Sequence, residues 1–224
     1  MTPKKLLIVG DGEFAEIACE YFTHDSGYDV AGFAVERDYL KKDSLLGHPV
    51  VAFEDVERTF APEDHVAFVA VPYTQLNRVR ARLCVAAKEK GYALASYVSS
   101  HAFVWRNVEI GENCFIFEAN VVQYSVRIGN NVVLWSGNHI GHRTVIDDHC
   151  FFASHVVVSG YCRIGASAFL GVNSTLRDKI TIGRDAVVGA GAVVVKDVAE
   201  RQVVRGNPAV ASGADSWDVF GVRQ

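Results

Sequence analysis

The chain has 224 residues, half of them hydrophobic, and 22 Lys and Arg against 26 Asp and Glu give a formal net charge of −4. The basic residues are dispersed rather than striped, which argues against nucleic acid as a partner, and no apolar run approaches membrane-spanning length. That length accommodates one large or two small domains.

The opening MTPKKLLIVG lacks a secretory hydrophobic region and runs straight into a strand pattern, so the expected location is the cytoplasm. Residues 5–9 read as a buried strand, GDGEFA as a glycine turn and residues 13–22 as a helix. Further strands are expected at 30–35, 50–52, 66–71 and 93–98, with a helix over 74–90. Strands alternating with helices imply a parallel sheet with crossovers, so residues 1–98 are expected to form a small Rossmann-like α/β domain.

Gly10, Gly12 and Ala15 form GxGxxA between a strand and a helix. There, backbone N–H groups at a helix N-terminus are able to hold a phosphate, and the plain alternative is a tight turn needed only for packing. A dinucleotide would require an acidic residue at the end of the second strand, and Glu36 or Asp38 stands there. The crossover series is short for a full dinucleotide fold and no second catalytic domain follows. A nucleotide-linked substrate therefore fits better than NAD.

From Ile110 onward the pattern changes. Stepping six residues at a time from Ile110 to Val194 lands on fifteen apolar residues without interruption. With half the chain apolar, chance would produce this in about one register in 30,000. Every third hit, Ile110, Ile128, Ile146, Ile164 and Ile182, precedes a glycine or, once, Asp147. An eighteen-residue coil with three sides follows, in which each coil buries its apolar face by stacking on the next. Two residues before each hit the chain is mostly small or β-branched, as a second inward position requires. Asn120, Asn138 and Ile180 break that rule, and the two asparagines are expected to form ladders or interface groups. Cys114, Cys150 and Cys162 occupy these small inward positions, and Cys19 and Cys84 lie in expected helices without CxxC spacing. All five read as small hydrophobes. Residues 99–210 are thus expected to form the β-helix, and residues 211–224 a tail in which Trp217 and Phe220 either dock or remain loose.

Four of the eight histidines lie between positions 139 and 155. His142, two residues after Ile140, belongs at a corner outside the prism, and the same corner holds Tyr124 one coil earlier and Gly160 one coil later. Successive coils are separated by about 4.8 Å, so a side chain on one corner can face a bare backbone N–H on the next. This pairs a candidate base with a candidate oxyanion donor. His139, His149 and His155 are expected to point outward elsewhere, and no spaced zinc-ligand pattern is apparent.

A GxGxxA domain, a hexapeptide array containing RIGASAFLGVNS, and a terminal VVRGNPAV occur in that order. The chain resembles, over nearly its whole length, the sugar-nucleotide acyltransferases of the PglD and NeuD type. The resemblance implies a left-handed β-helix, a homotrimer, acetyl-CoA between neighbouring subunits, a nucleotide-sugar on the N-terminal domain, and no metal. It makes His142 the general base and Gly160 the donor to the acetyl carbonyl, with Asn138 and Asp148 beside them. Gly171 and Gly189 match positions that line the pantetheine, and Gly206 and Pro208 lie in the loop near the adenine. Gly10, Gly12, Glu13 and Phe14, with Glu36 and Arg37 after the second strand, match the nucleotide pocket, and His139 lies on the acceptor side. The implied reaction is acetyl transfer to the amino group of a nucleotide-linked 4-amino-4,6-dideoxy sugar. O-acetylation and a non-catalytic trimeric scaffold are the rivals.

The chain departs from the family pattern in three places. Arg143 follows the histidine where the family often has an acid, leaving Asp147, Asp148 or Asn138 to orient the imidazole. The family's second histidine aligns with Phe151. In the glycine turn, Glu13 and Phe14 replace a common Gly-His pair, and a carboxylate beside a phosphate is unexpected.

Overall fold

A computed structural model describes residues 4–223. The chain divides into two compact units, residues 1–72 with 79–97 and residues 73–78 with 98–224.

In the first unit, β1 (Lys4–Val9), α1 (Glu13–His24), β2 (Tyr28–Val35), β3 (Ser44–Leu45), β4 (His48–Ala52), β5 (His65–Val69) and α2 (Arg78–Glu89) follow one another. The sheet order is β3-β4-β2-β1-β5, parallel except for the β3 edge. Leu6 to Val9 are all buried, as a central parallel strand covered on both faces demands. Helix α1 buries Phe14, Ala15, Ala18, Cys19 and Phe22 on one stripe. The helix expected from residue 74 begins only at Arg78, because Gln75, Leu76 and Asn77 have φ of 51, 52 and 68° and form a left-handed turn. The strand expected over 93–98 shrinks to a bridge from Leu94 to Ala67 and the pair Tyr97–Val98.

The second unit is a left-handed parallel β-helix built from two-residue strands, each paired with the strand eighteen residues away, such as Val121 with His139 and His139 with Val157. The inward series is buried from Ile116 to Val194 and merges with Cys114, Cys150, Cys162 and the small residues into one core; only Ile110, at the first coil, is partly exposed. The five cysteines are free and buried.

Three outward faces result. Face I carries Phe115, Val133, Phe151, Phe169 and Val187; face II carries Phe103, Val121, His139, Val157, Thr175 and Val193; face III carries Glu109, Arg127, Val145, Arg163 and Thr181. From Asn113 to Gly191, every sixth residue has a positive φ, among them Arg143 (58°), His149 (65°) and His155 (59°). Each coil thus turns its three corners through a left-handed residue, mostly without glycine.

Asn120 and Asn138 are buried ladder residues. Asn120 Nδ2 donates to the carbonyls of Phe117 (2.8 Å) and Trp135 (2.9 Å); Asn138 Nδ2 donates to the Trp135 carbonyl and its Oδ1 accepts from the Val156 N–H (2.7 Å).

The C-terminal segment is not loose. Gln202–Arg205 adds a parallel strand beside Val187–Val188, Val210–Asp215 returns antiparallel to it, and α3 (Ser216–Phe220) follows. Asp215 caps α3 by accepting the Trp217 N–H at 2.8 Å. The Trp217 indole N–H donates to Asp185 Oδ2 at 3.0 Å, its ring receives the Arg201 guanidinium at 4.3 Å, and Phe220 packs on Phe169. Arg78 pairs with the same, buried Asp185 at 2.7 Å. Tyr73, which precedes the left-handed turn, packs on Phe151 and Phe169 of face I. Residues 211–223 are therefore part of the second unit, and Gln224 lies outside the described residues.

Candidate active site

His142 and Gly160 meet at the corner between faces II and III. A Cβ built on Gly160 would stand 2.6 Å from His142 Cε1, 2.8 Å from Nε2 and 3.0 Å from Nδ1, so the imidazole rests directly on the glycine. The ring also meets Tyr161 edge to face at 5.1 Å. The His142 backbone N–H donates to Gln123 Oε1 at 3.0 Å, which fixes the corner. Among the described residues the Gly160 N–H donates to nothing, although its carbonyl accepts from Lys179 at 3.0 Å. The exposed imidazole and the unclaimed N–H of the buried Gly160 lie side by side, one proton acceptor beside one oxyanion donor.

Arg143 occupies the left-handed corner position, and its guanidinium lies over the rings of Tyr124 (5.5 Å) and Tyr161 (5.8 Å). Those two tyrosines, each about half exposed, line the corner one coil below His142 and one coil above Arg143. Beneath the corner, the Cys162 thiol faces inward, and burial pushes its pKa up, so it stays a neutral structural group.

None of the three side chains offered as orienting partners meets the imidazole. Asn138 is committed inside the coil to the Trp135 carbonyl and the Val156 N–H. Asp148 stands at the corner between faces III and I, where its Oδ1 accepts from the Asn130 N–H at 2.6 Å. Asp147 borders a groove of about 250 Å³ on face III, with Arg163 and Arg184, that includes neither His142 nor Gly160. His139 lies half-buried on face II beside the corner. His149, expected to point outward, is half-buried instead and joins a polar column, its Nδ1 3.0 Å from Asn131 Nδ2. Phe151, at the place of the family's second histidine, is buried beneath Tyr73.

Gly171 and Gly189 lie at the third corner, between faces I and II, stacked one coil apart; a Cβ on Gly171 would stand 2.6 Å from Ala190 N. Gly206 (φ 90°) and the cis-bonded Pro208 form the loop after Gln202–Arg205. Within one chain these residues are separated from His142 and Gly160 by the whole of face II.

In the first unit, Gly10 has φ 125° and a Cβ there would stand 2.7 Å from the Ala70 carbonyl oxygen, so glycine is required. Gly12 is the N-cap of α1, with no side-chain cap and open space beside it. These features suit a phosphate. Sequence reasoning missed Lys42, whose Nζ reaches back to donate to the Asp11 carbonyl at 2.9 Å and brings a cation to the turn. No local motif marks it, because the turn and the lysine are brought together only by the fold.

Three expected nucleotide-pocket residues are used otherwise. Phe14 is buried against Phe68, its ring 6.1 Å away, and belongs to the core. Glu36 forms a two-pronged ion pair with Arg82 (2.8 and 2.9 Å), whose hydrogen bonds hold its carboxyl below the ordinary value. Arg37 pairs with Asp55, and its backbone N–H donates to Glu54. Glu13, by contrast, is exposed in the first turn of α1. Among the described residues no group of three His, Cys, Asp or Glu could hold a metal ion, and no helix is long and apolar enough to cross a membrane.

The bacterial transferase hexapeptide model matches residues 125–160 and 161–196. In overall structure the chain is similar to a mutant of perosamine N-acetyltransferase from Caulobacter crescentus in complex with CoA and GDP-perosamine (TM-score 0.86, 26% identity, 94% of this chain and 97% of that one). It is similar also to the acetyltransferase domain of PglB from Neisseria gonorrhoeae in complex with acetyl coenzyme A (TM-score 0.83, 25% identity, 93% and 98%). The Caulobacter protein has been solved with one histidine replaced by asparagine and by alanine. Among curated sequences, an acyl-[acyl-carrier-protein]–UDP-N-acetylglucosamine O-acyltransferase from Sinorhizobium fredii is 28% identical over 120 residues, half of this chain and 44% of that one. The chain spans less than half the length of the curated relatives it matches.

Proposed function

We propose that this chain, whose coils carry the bacterial transferase hexapeptide repeat, transfers an acetyl group from acetyl-CoA to the amino group of a nucleotide-linked amino sugar, a 4-amino-4,6-dideoxy sugar. The observation that carries this reading is the His142 imidazole resting on Gly160 beside an unclaimed N–H. His142 accepts the proton that the attacking amine loses, and the Gly160 N–H donates to the carbonyl oxygen as it becomes an oxyanion. The C–N bond forms first; as the oxyanion collapses the C–S bond breaks, and the departing CoA sulfur takes the proton from His142. No acyl-enzyme is formed, and Cys162, buried and neutral, has no part in it.

The glycine turn of the first unit, with Lys42 beside it, holds the diphosphate of the sugar nucleotide. The relatives bound to CoA, one of them also to GDP-perosamine, support both ligand classes. These substrates place the reaction in the cytoplasm.

Three copies pack through face II, where Phe103 and Val157 leave 54 and 38% of their surfaces exposed. Face I is largely covered, and face III carries Glu109, Arg127 and Arg163 at its surface. Packing through face II brings the His142 corner of one copy against the Gly171 and Gly189 corner of the next, which gives CoA two walls.

Replacing His142 with alanine is expected to lower kcat/KM by about 10²- to 10⁴-fold. A change of only a few-fold would overturn the assignment. The curated O-acyltransferase relatives favour a second reading, transfer to a sugar hydroxyl. Incubating acetyl-CoA with matched amino and hydroxy nucleotide-sugars separates the two.

A further inference from the structure

We propose that the groove on face III is a second ligand site, one that takes the phosphate of a small phosphomonoester with a hydroxyl-rich body, such as a sugar phosphate. The groove lies within one chain, includes neither His142 nor Gly160, and does not depend on the acetyl-transfer reading.

The corner between faces III and I shows how the coil satisfies its own N–H groups. Residues 112, 130, 148, 166 and 184 stand one above another there, eighteen apart. The Glu112 N–H donates to Asn130 Oδ1 at 2.9 Å, and the Asn130 N–H to Asp148 Oδ1 at 2.6 Å. Each side-chain oxygen thus caps the N–H one coil below. At Ala166 and Arg184 the series stops, because an alanine has no oxygen to offer and a guanidinium has only donors. Among the described residues the N–H groups of Ala166 and Arg184 donate to nothing. Gly165 keeps the approach to the second of them clear of any side chain, since a Cβ there would stand 2.6 Å from the Arg184 nitrogen. Where the lower coils supply an oxygen of their own, these two rungs accept one from outside.

Water alone can serve such N–H groups, but the charges around them select an anion. Arg163 and Arg184 line the groove, and among the described residues neither makes an ion pair or hydrogen bond, whereas Arg37, Arg78, Arg82 and Arg201 are each paired with a carboxylate. Thr181 adds a hydroxyl. Two guanidinium forks, backbone N–H groups and a hydroxyl along one groove are a donor set for a tetrahedral oxyanion. Asp147 borders the same groove and, among the described residues, makes no ion pair. Its carboxylate repels a bare phosphate and accepts from hydroxyl groups. At about 250 Å³ the groove has room beyond a single phosphate, yet it falls below the roughly 300–1,000 Å³ of pockets for drug-sized ligands. A phosphate against the arginines, with a hydroxyl-bearing body toward Asp147, uses both signs of charge.

Calorimetric titration of the full-length protein with glucose 1-phosphate and with inorganic phosphate, at fixed ionic strength and without nucleotide or CoA, tests this. Glucose 1-phosphate is expected to bind once per chain and more tightly than inorganic phosphate. Arg184→Asn removes a guanidinium and, as Asn130 does below, supplies an oxygen to the N–H one coil down. It should keep or raise the melting temperature while weakening glucose 1-phosphate binding about tenfold or more, the loss of one charge-assisted hydrogen bond. Arg163→Gln should weaken it similarly. Arg127→Gln, on the same face but outside the groove, should change the affinity by no more than about twofold, since salt screens a charge at that distance. Asp147→Ala should tighten inorganic phosphate and weaken glucose 1-phosphate.

No heat from either probe, or binding that survives both Arg163→Gln and Arg184→Asn, would overturn the site. An Arg127→Gln loss as large as theirs would reduce it to diffuse surface charge and overturn it equally. Inorganic phosphate that binds as tightly as glucose 1-phosphate, with both probes responding alike to Asp147→Ala, would refute the assignment to a phosphomonoester.

Discussion

The imidazole of His142 lies so close to Gly160 that a methyl group on the glycine would stand 2.6 Å from His142 Cε1. A side chain at 160 is opposed by this contact with the imidazole rather than by the backbone angle, since the position is not among those with positive φ. The same contact sets the base beside a backbone N–H that, among the described residues, donates to nothing.

Gly160→Ala is therefore expected to fold, because the atom it displaces belongs to an exposed side chain, yet to be impaired. Moving the ring off its seat and narrowing access to the N–H should lower kcat by about 10²- to 10³-fold. A melting temperature near that of wild type combined with that loss is the expected outcome. A fully active Gly160→Ala would separate the imidazole's position from catalysis.

Asn138 provides the contrast. Its amide bridges Trp135 and Val156 inside the coil, so Asn138→Ala removes ladder bonds in a buried place and should cost about 1–3 kcal/mol of stability. Below its melting temperature the variant should retain kcat within a few-fold. A large loss of kcat with unchanged unfolding would return Asn138 to the reaction.

Asp185 ties together Arg78 and Trp217 from segments 107 and 32 residues away. Asp185→Ala leaves a guanidinium and an indole N–H without their acceptor. Because Arg78 is 28% exposed, the cost should fall at the lower end of the roughly 3–5 kcal/mol range for broken buried pairs. Limited proteolysis should then cut residues 211–223 before the coils; equal resistance in wild type and variant would show that α3 is held by other contacts.

The Glu36–Arg82 pair makes a pH-dependent prediction. Arg82 holds the Glu36 carboxyl below its ordinary value of 4.5 in the folded state. A group with a depressed folded pKa contributes stability above its unfolded pKa and loses it as the pH falls through the folded one. Glu36→Gln should thus be less stable than wild type at pH 7, by at most about 1 kcal/mol for a partly exposed pair, and the difference should shrink as the pH falls below 4.5 and through the lowered folded value. Denaturant melts of both proteins at pH 7 and pH 3 check this, and a gap as large at pH 3 as at pH 7 would contradict it.

The sequence by itself determined the coil, its phase, and the direction of most side chains on it, though not that of His149, which meets Asn131 instead of pointing outward. The six-residue step is a local rule: an inward position must be apolar and its neighbour small, so Ile140 and Cys162 reveal where His142 and Gly160 point without any knowledge of the fold. That Asn120 and Asn138 are exceptions to the inward series was legible for the same reason, but the choice between ladder and interface came only with their bonds to Phe117, Trp135 and Val156. Tertiary structure alone decided which outward or flanking residues are already engaged. Phe14 is taken by Phe68, Glu36 by Arg82, Asp148 by Asn130, and Asp185 by Arg78 and Trp217. Several of those partners come from elements tens of residues away, and no local period encodes them. Lys42 beside the glycine turn and Trp217 on Asp185 depend on the same long-range packing, which brings a charge to its partner only after the backbone has closed.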